Sequence, residues 1–161
     1  TVDQVISTLA LHWVPSLEAA AANLHRVLKK KGSLDVLMVA KDDGQEFKKS
    51  IVTAQRKHIS FKQIMASAVL IQRVNAKQCK EAFSMFEPDF HLNGEEERKV
   101  VYGSFDEHMK WWEARSTQII SEIKDKAAFL KDLRSELEKT QDPEGIPFDA
   151  SFLNIHVRAK G

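Results

Sequence analysis

Leu11-His12-Trp13-Val14 places an imidazole beside an indole at the end of an apolar run. A histidine exchanges a proton near neutral pH, and a tryptophan offers a broad apolar ring with one N–H donor. Val5 to Val14 is rich in β-branched and apolar residues without strict alternation, which predicts a strand buried on both faces. His12 and Trp13 then stand at the carboxyl end of that strand, where open α/β sheets bind ligands. The alternative is a Trp13 that packs in the core and a His12 satisfied at the surface.

A second group lies in "KKSIVTAQRKH", which sets Lys48, Lys49, Arg56, Lys57 and His58 on one helix. The forked guanidinium of Arg56, with His58 beside it, suits a carboxylate substrate. A solvated helix face is the competing explanation. Trp111 and Trp112 are adjacent on a helix and point about 100° apart. Trp112 completes a packed face with Phe105, His108 and Met109, which leaves Trp111 for a pocket, an interface or further packing. Cys79 sits on an apolar helical face and reads as a small core residue. His91, His108 and His156 share no metal-ligand spacing, and Glu95 to Arg98 reads as a solvated run.

Several elements must position these groups. After Pro15, Ser16 occupies an N-cap site with Glu18 in the first turn. Leu17, Ala20, Ala21, Leu24, Val27 and Leu28 then recur at helical spacing. Lys29, Lys30 and Lys31 are expected to close that helix, with Gly32 as a left-handed stop. "LDVLMVA", Leu34 to Ala40, is a second apolar strand. Strand, helix and strand within about 35 residues is the pattern of a right-handed parallel crossover. Two parallel strands alone leave long unpaired edges, so the sheet is expected to begin before Thr1.

Beyond Asp42-Asp43-Gly44 the chain turns helical. Phe47, Ile51 and Ala54 mark one face, and Phe61, Ile64, Met65 and Ala68 another. Asn75 caps a third helix bearing Ala76, Cys79, Phe83 and Phe86, which ends near Pro88. Asn93-Gly94 signals a turn before a short strand at Lys99 to Tyr102. Ser104 and Glu107 form a capping box. A longer helix from Ser116 or Thr117 carries its apolar stripe as far as Leu137. Phe152 to Ala159 alternates as a one-faced strand.

The 161 residues are 43% hydrophobic, enough for a real core, and 24 basic residues against 23 acidic ones leave a net charge of +1. That balance shows no nucleic-acid or membrane footprint. One cysteine rules out an internal disulfide framework and fits a cytoplasmic setting. The first residues lack a basic signal-peptide region, and no run approaches the length of a membrane span.

"DQVISTLALHWVPSLEAAAANLHRVLKKKGSLDVLMVA" resembles the fourth strand, following helix and fifth strand of class I S-adenosylmethionine-dependent methyltransferases. The resemblance is to the small-molecule branch that includes trans-aconitate, malonyl-carrier-protein and juvenile-hormone-acid methyltransferases. It is carried by Leu11, His12, Trp13 and Val14 and by Arg26, Val27, Leu28, Lys29 and Gly32. The family's Pro-Gly is replaced here by Lys30 and Lys31. Val157, Arg158, Ala159 and Lys160 are similar to the family's last, antiparallel strand. The resemblance implies an α/β chain forming the C-terminal part of a Rossmann-like sheet, strands four to seven, with a helical lid. It places core at 1–41, lid at 42–89 and closing strands with their helices at 90–161, as one incomplete domain.

It further implies S-adenosylmethionine as cofactor, touched by Leu11, His12 and Trp13, and a small-molecule acceptor held by Trp13, Arg56, His58 and Trp111. The family's glycine-rich turn is absent, so the main cofactor-binding half is expected before Thr1, and this piece alone is expected to be inactive. The acceptor atom expected is oxygen, with nitrogen or carbon as the alternatives, and an ionised carboxylate would need no base. A non-catalytic interaction domain retaining half of the fold is the competing reading, with self-association through the open sheet edge expected in either case. An unrelated α+β binding module is a third.

Overall fold

A computed structural model describes residues 1–68 and 73–160. The chain forms two compact units. The first comprises Thr1–Asp43, Ile71–Arg98 and Ser151–Gly161, and the second Gly44–Leu70 and Lys99–Ala150.

The first unit is built on a four-stranded sheet. Its strands are β1 (Val2–Thr8), β2 (Leu28–Val39), β3 (Phe90–Gly103) and β4 (Ile146–Ala159), in the order β1-β2-β4-β3. β1 and β2 are parallel, with Val5 opposite Leu34 and Thr8 opposite Leu37. β4 is antiparallel to β2, with Leu34 opposite Val157 and Val39 opposite Phe152. The last strand of the chain is thus inserted beside β2, with β3 outside it.

The crossover between β1 and β2 is α1 (Leu17–Val27), started by Ser16, whose Oγ accepts the Ala19 amide at 3.1 Å. Helix α4 (Ala76–Phe83) opens with a capping box between Asn75 and Gln78, each satisfying the other's backbone amide. Alternate residues of β2 and β4, namely Leu34, Val36, Met38, Leu153, Ile155 and Val157, join Leu17, Ala21, Cys79, Phe83 and Phe86 in one core. Each fully buried phenylalanine there contributes roughly 1.5–3 kcal/mol.

Four expectations are corrected in this unit. The run Val5–Val14 is not one strand: β1 ends at Thr8 and Leu11–Trp13 form a 3-10 turn. Nor is β1 buried on both faces, because it is the edge strand, and Ile6 is 68% exposed. Lys29, Lys30, Lys31 and Gly32 do not close α1. The chain turns extended at Leu28, the three lysines lie in β2, and Lys29 reaches Asp3 of β1 at 2.9 Å. Finally, Asn93-Gly94 makes no turn, since β3 runs unbroken from Phe90 to Gly103 and takes its hydrogen bonds from β4.

The second unit is helical, with α2 (Gln45–Gln55), α3 (Phe61–Ala68), α5 (Phe105–Arg115), α6 (Thr117–Ser121) and α7 (Lys126–Glu138). Gly44 enters α2 at φ 57°, and a Cβ there would come 2.3 Å from the Phe148 ring, so both backbone and space demand glycine. Ser104 and Glu107 form the expected capping box at the start of α5. The single long helix expected from Ser116 to Leu137 is instead α6 and α7. Asp125 accepts the Ala128 amide at 2.9 Å and caps a fresh helix start. Phe47, Ile51, Met109, Trp112, Phe129, Leu133 and Leu137 form the core of this unit. Among the described residues, no helix is long and apolar enough to cross a membrane.

Candidate functional site

In the first unit, the residues best placed for chemistry gather where β1 and β2 end. Leu9 follows β1 at φ 55°, a left-handed conformation that costs a non-glycine residue roughly 1–2 kcal/mol. Its amide donates to the Leu37 carbonyl at 2.8 Å, so the strand pairing holds it there. The chain then closes the 3-10 turn, with the Trp13 amide donating to the Ala10 carbonyl at 3.0 Å. Leu11 packs against the core. His12 is buried, and its Nδ1 accepts a long hydrogen bond, 3.5 Å, from the Val39 amide at the end of β2. Trp13 is 49% exposed, with its ring 5.2 Å from that of His12. The turn therefore presents an indole surface at the carboxyl end of two parallel strands.

Just past β2 lies a buried ion pair absent from the sequence expectations. Asp43 accepts the Ser151 amide on Oδ1 at 3.1 Å and the Arg73 guanidinium on Oδ2 at 3.2 Å. The Lys41 amide donates to the Val74 carbonyl at 2.9 Å, tying the same segment to the end of β2. Next to this pair a cavity of about 380 Å3 opens between the start of α1 and α4, lined by Ser16, Glu18, Arg73, Gln78 and Glu81 among others. Thirty residues separate Asp43 from Arg73, and Asp42-Asp43-Gly44 carries only the signature of a change in element. Nothing in the sequence pattern links the two.

On the opposite face of the sheet, Asp35 accepts from Arg158 at 2.6 Å and lies 2.8 Å from His156 Nδ1. The Arg158 and His156 hydrogen bonds hold its carboxyl below the usual carboxylate range against the opposing effect of burial. Cys79 is buried, and its thiol is pushed up to about 12 by desolvation. Among the described residues, no group of three or more His, Cys, Asp or Glu could hold a metal ion.

The second unit holds the other residues picked out from sequence. The five basic residues expected on one helix are divided, since α2 carries Lys48 and Lys49 but ends at Gln55, and Arg56, exposed, follows it with Lys57 and His58 in a turn. His58 Nε2 stands 2.8 Å from Asp132, which also receives Lys57 at 3.2 Å. These two contacts, His58 first, hold the Asp132 carboxyl below its ordinary range. Trp111 is half-buried, and its indole N–H donates to His108 Nδ1 at 3.4 Å. His108 in turn donates from Nε2 to the Ile146 carbonyl at 2.8 Å. Trp111 also packs on Phe47 and Phe148. Arg56, His58 and Trp111 therefore occupy three different settings: a solvated helix end, a carboxylate contact and an aromatic cluster.

Residues 1–36, which include β1, the 3-10 turn and α1, match the methyltransferase domain family. No curated protein matches the sequence. Among solved structures, the chain is similar to the YcgJ protein from Bacillus subtilis at 15% identity and a TM-score of 0.52, covering 100% of this chain and 65% of that one. It is also similar to a loganic acid methyltransferase solved with S-adenosylhomocysteine, at 11% identity and a TM-score of 0.57, covering 100% and 62% respectively. The chain thus spans a little under two thirds of either structure. It shares their mixed α/β, Rossmann-like fold.

Proposed function

We propose that this chain forms part of an S-adenosylmethionine-dependent methyltransferase that methylates an oxygen of a small molecule. One observation carries the reading. The stretch that matches the methyltransferase domain family folds as a parallel β1–α1–β2 crossover, and it holds Leu11-His12-Trp13 at the carboxyl ends of the two strands. Ligands of open α/β sheets bind at that end.

The residues fit one side of such a cofactor. Trp13 offers an exposed ring, while Leu11 packed on the core and His12 held by Val39 fix where that ring stands. When bound, the cofactor supplies an electrophilic methyl group. The chain's own part is to align the acceptor and exclude water. An acceptor carboxylate is ionised near neutral pH and asks for no base. His12 suits that economy, because its Nδ1 is engaged with the Val39 amide. For the acceptor we assign Trp13 in the first unit; Arg56, His58 and Trp111 of the second unit are separate candidate contacts for a small molecule, each tested by its own substitution.

The exposed edge strand supports a further part of this reading. Val2, Ile6 and Leu9 are 41%, 68% and 44% exposed on and just after β1, whereas β3 at the other edge carries the charged run Glu95 to Lys99 ahead of its own exposed Val100, Val101 and Tyr102. Charges on an edge strand discourage further pairing, and β1 has only Asp3 for that purpose. We therefore expect the isolated chain to associate through β1 and to hold the cofactor weakly.

Calorimetric titration of S-adenosylhomocysteine into the purified chain, with light scattering on the same sample, tests both points. Weak or saturable binding that Trp13→Ala abolishes is the expected result. Binding indifferent to Trp13→Ala would remove the turn from the site. No detectable binding by a dimer or larger species would favour the interaction-domain reading.

A further inference from the structure

We propose that the cavity between α1 and α4 binds a small zwitterion, an amine-bearing carboxylic acid whose carboxylate meets Arg73 and whose ammonium meets Glu81. That this ligand is the methyl acceptor rests on the function proposed above; its binding does not. A volume of about 380 Å3 suits a small metabolite.

The charges of the lining select among metabolites. Arg73 lines the cavity, its side chain 12% exposed and anchored by Asp43, which the Ser151 amide fixes in turn. A guanidinium held in one place is the group that best receives a planar carboxylate. Two carboxylates, Glu18 and Glu81, line the same space, so a phosphate or a dicarboxylate would be repelled. A simple amine would face the guanidinium. A ligand carrying both signs satisfies the guanidinium and a carboxylate together.

The two glutamates are not equivalent. Glu18 already accepts the Ser16 hydroxyl at 3.0 Å. Glu81 is only loosely paired with Lys77, 3.8 Å away and one turn earlier on α4. It shares its helix face with Ala82 and Gln78, and the Gln78 side chain is committed to the Asn75 cap. Glu81 is therefore the carboxylate available to turn toward an ammonium group. Leu17 and Ala82 supply apolar wall for a short carbon stem.

Titrating 4-aminobutyrate, butyrate and butylamine into the full chain, followed by amide NMR shifts, tests the assignment. The zwitterion should bind tightest, with shifts concentrated at residues 14–18 and 73–82. Glu81→Gln, an exposed change on α4, should weaken 4-aminobutyrate about two- to fivefold and leave butyrate unchanged. Arg73→Lys should weaken both carboxylates about tenfold while sparing butylamine, with folding checked by circular dichroism. Equal binding of all three probes, no binding of 4-aminobutyrate, or a preference untouched by Glu81→Gln would overturn the proposal. A parallel titration with S-adenosylhomocysteine separates the two readings. Its failure, with 4-aminobutyrate still bound, counts against methyl transfer alone; the reverse counts against the zwitterion alone.

Discussion

Gly32 in β2 lies against the carbonyl oxygen of Asp3 in β1: a Cβ at Gly32 would stand 2.8 Å from it. The strand pairing shifts register between Val2 and Gln4 at this point, and the close approach is what lets β1 stay paired through the shift. Gly32→Ala must therefore push the strands apart or tilt β1. We expect a loss of about 1–3 kcal/mol, the usual cost of overpacking. Urea unfolding checks it, and a midpoint equal to that of the wild-type chain would show that β1 gives way freely.

The same glycine shows what the sequence conceals. "VLKKKG" has every local mark of a helix end, with cations followed by glycine, yet α1 stops at Val27 and the lysines enter a strand. Local signals were reliable where a side chain answers its own backbone, as at Ser16, Asn75 and Ser104, all of which cap the helices expected of them. They failed where a distant strand supplies the hydrogen bonds. Asn93-Gly94 did not become a hairpin turn because β3 continues through it beside β4, fifty residues later in the chain. At the candidate site, the sequence pattern singled out Leu11, His12 and Trp13 but put them on a strand, because an apolar run alone does not show that the chain leaves the sheet at Thr8 and coils into a 3-10 turn. The Asp43–Arg73 pair was not legible, because ion pairing across 30 residues leaves no periodicity to read.

Cys79 should be inert in the folded chain. Its thiol is pushed up to about 12, so at pH 8 only about one molecule in ten thousand is thiolate, against about one in four for an ordinary cysteine near 8.5. Colour development with a thiol-exchange reagent should be slow in buffer and prompt in denaturant. Prompt labelling without denaturant would mean that α4 opens readily or does not pack as described.

Asp35 should make stability depend on acid pH. Its folded pKa is depressed, chiefly by the Arg158 hydrogen bond, so its contribution is present above the unfolded value near 3.9 and is lost as pH falls through the lower folded one. The stability gap between the wild-type chain and Asp35→Asn should therefore be constant above about pH 5 and shrink toward pH 2. A gap that stayed level or widened on acidification would deny Asp35 this role.

Leu9 carries a backbone penalty at the threshold of the candidate site. Its φ of 55° is costly for leucine, and the side chain is 44% exposed and so recovers little by burial. Glycine at this position removes the steric cost of roughly 1–2 kcal/mol but adds freedom to the unfolded chain, which offsets part of the gain. Valine keeps an apolar side chain and worsens the penalty, because branching at Cβ crowds a left-handed backbone further. Unfolding midpoints should thus rank Leu9→Gly at or slightly above wild type and Leu9→Val clearly below both. The hydrogen bond from the Leu9 amide to the Leu37 carbonyl survives in either variant, so the ranking isolates the dihedral itself. Equal midpoints for leucine and valine would show that the turn relaxes out of the left-handed region, and Trp13 would then lack the fixed support on which the proposed cofactor contact depends.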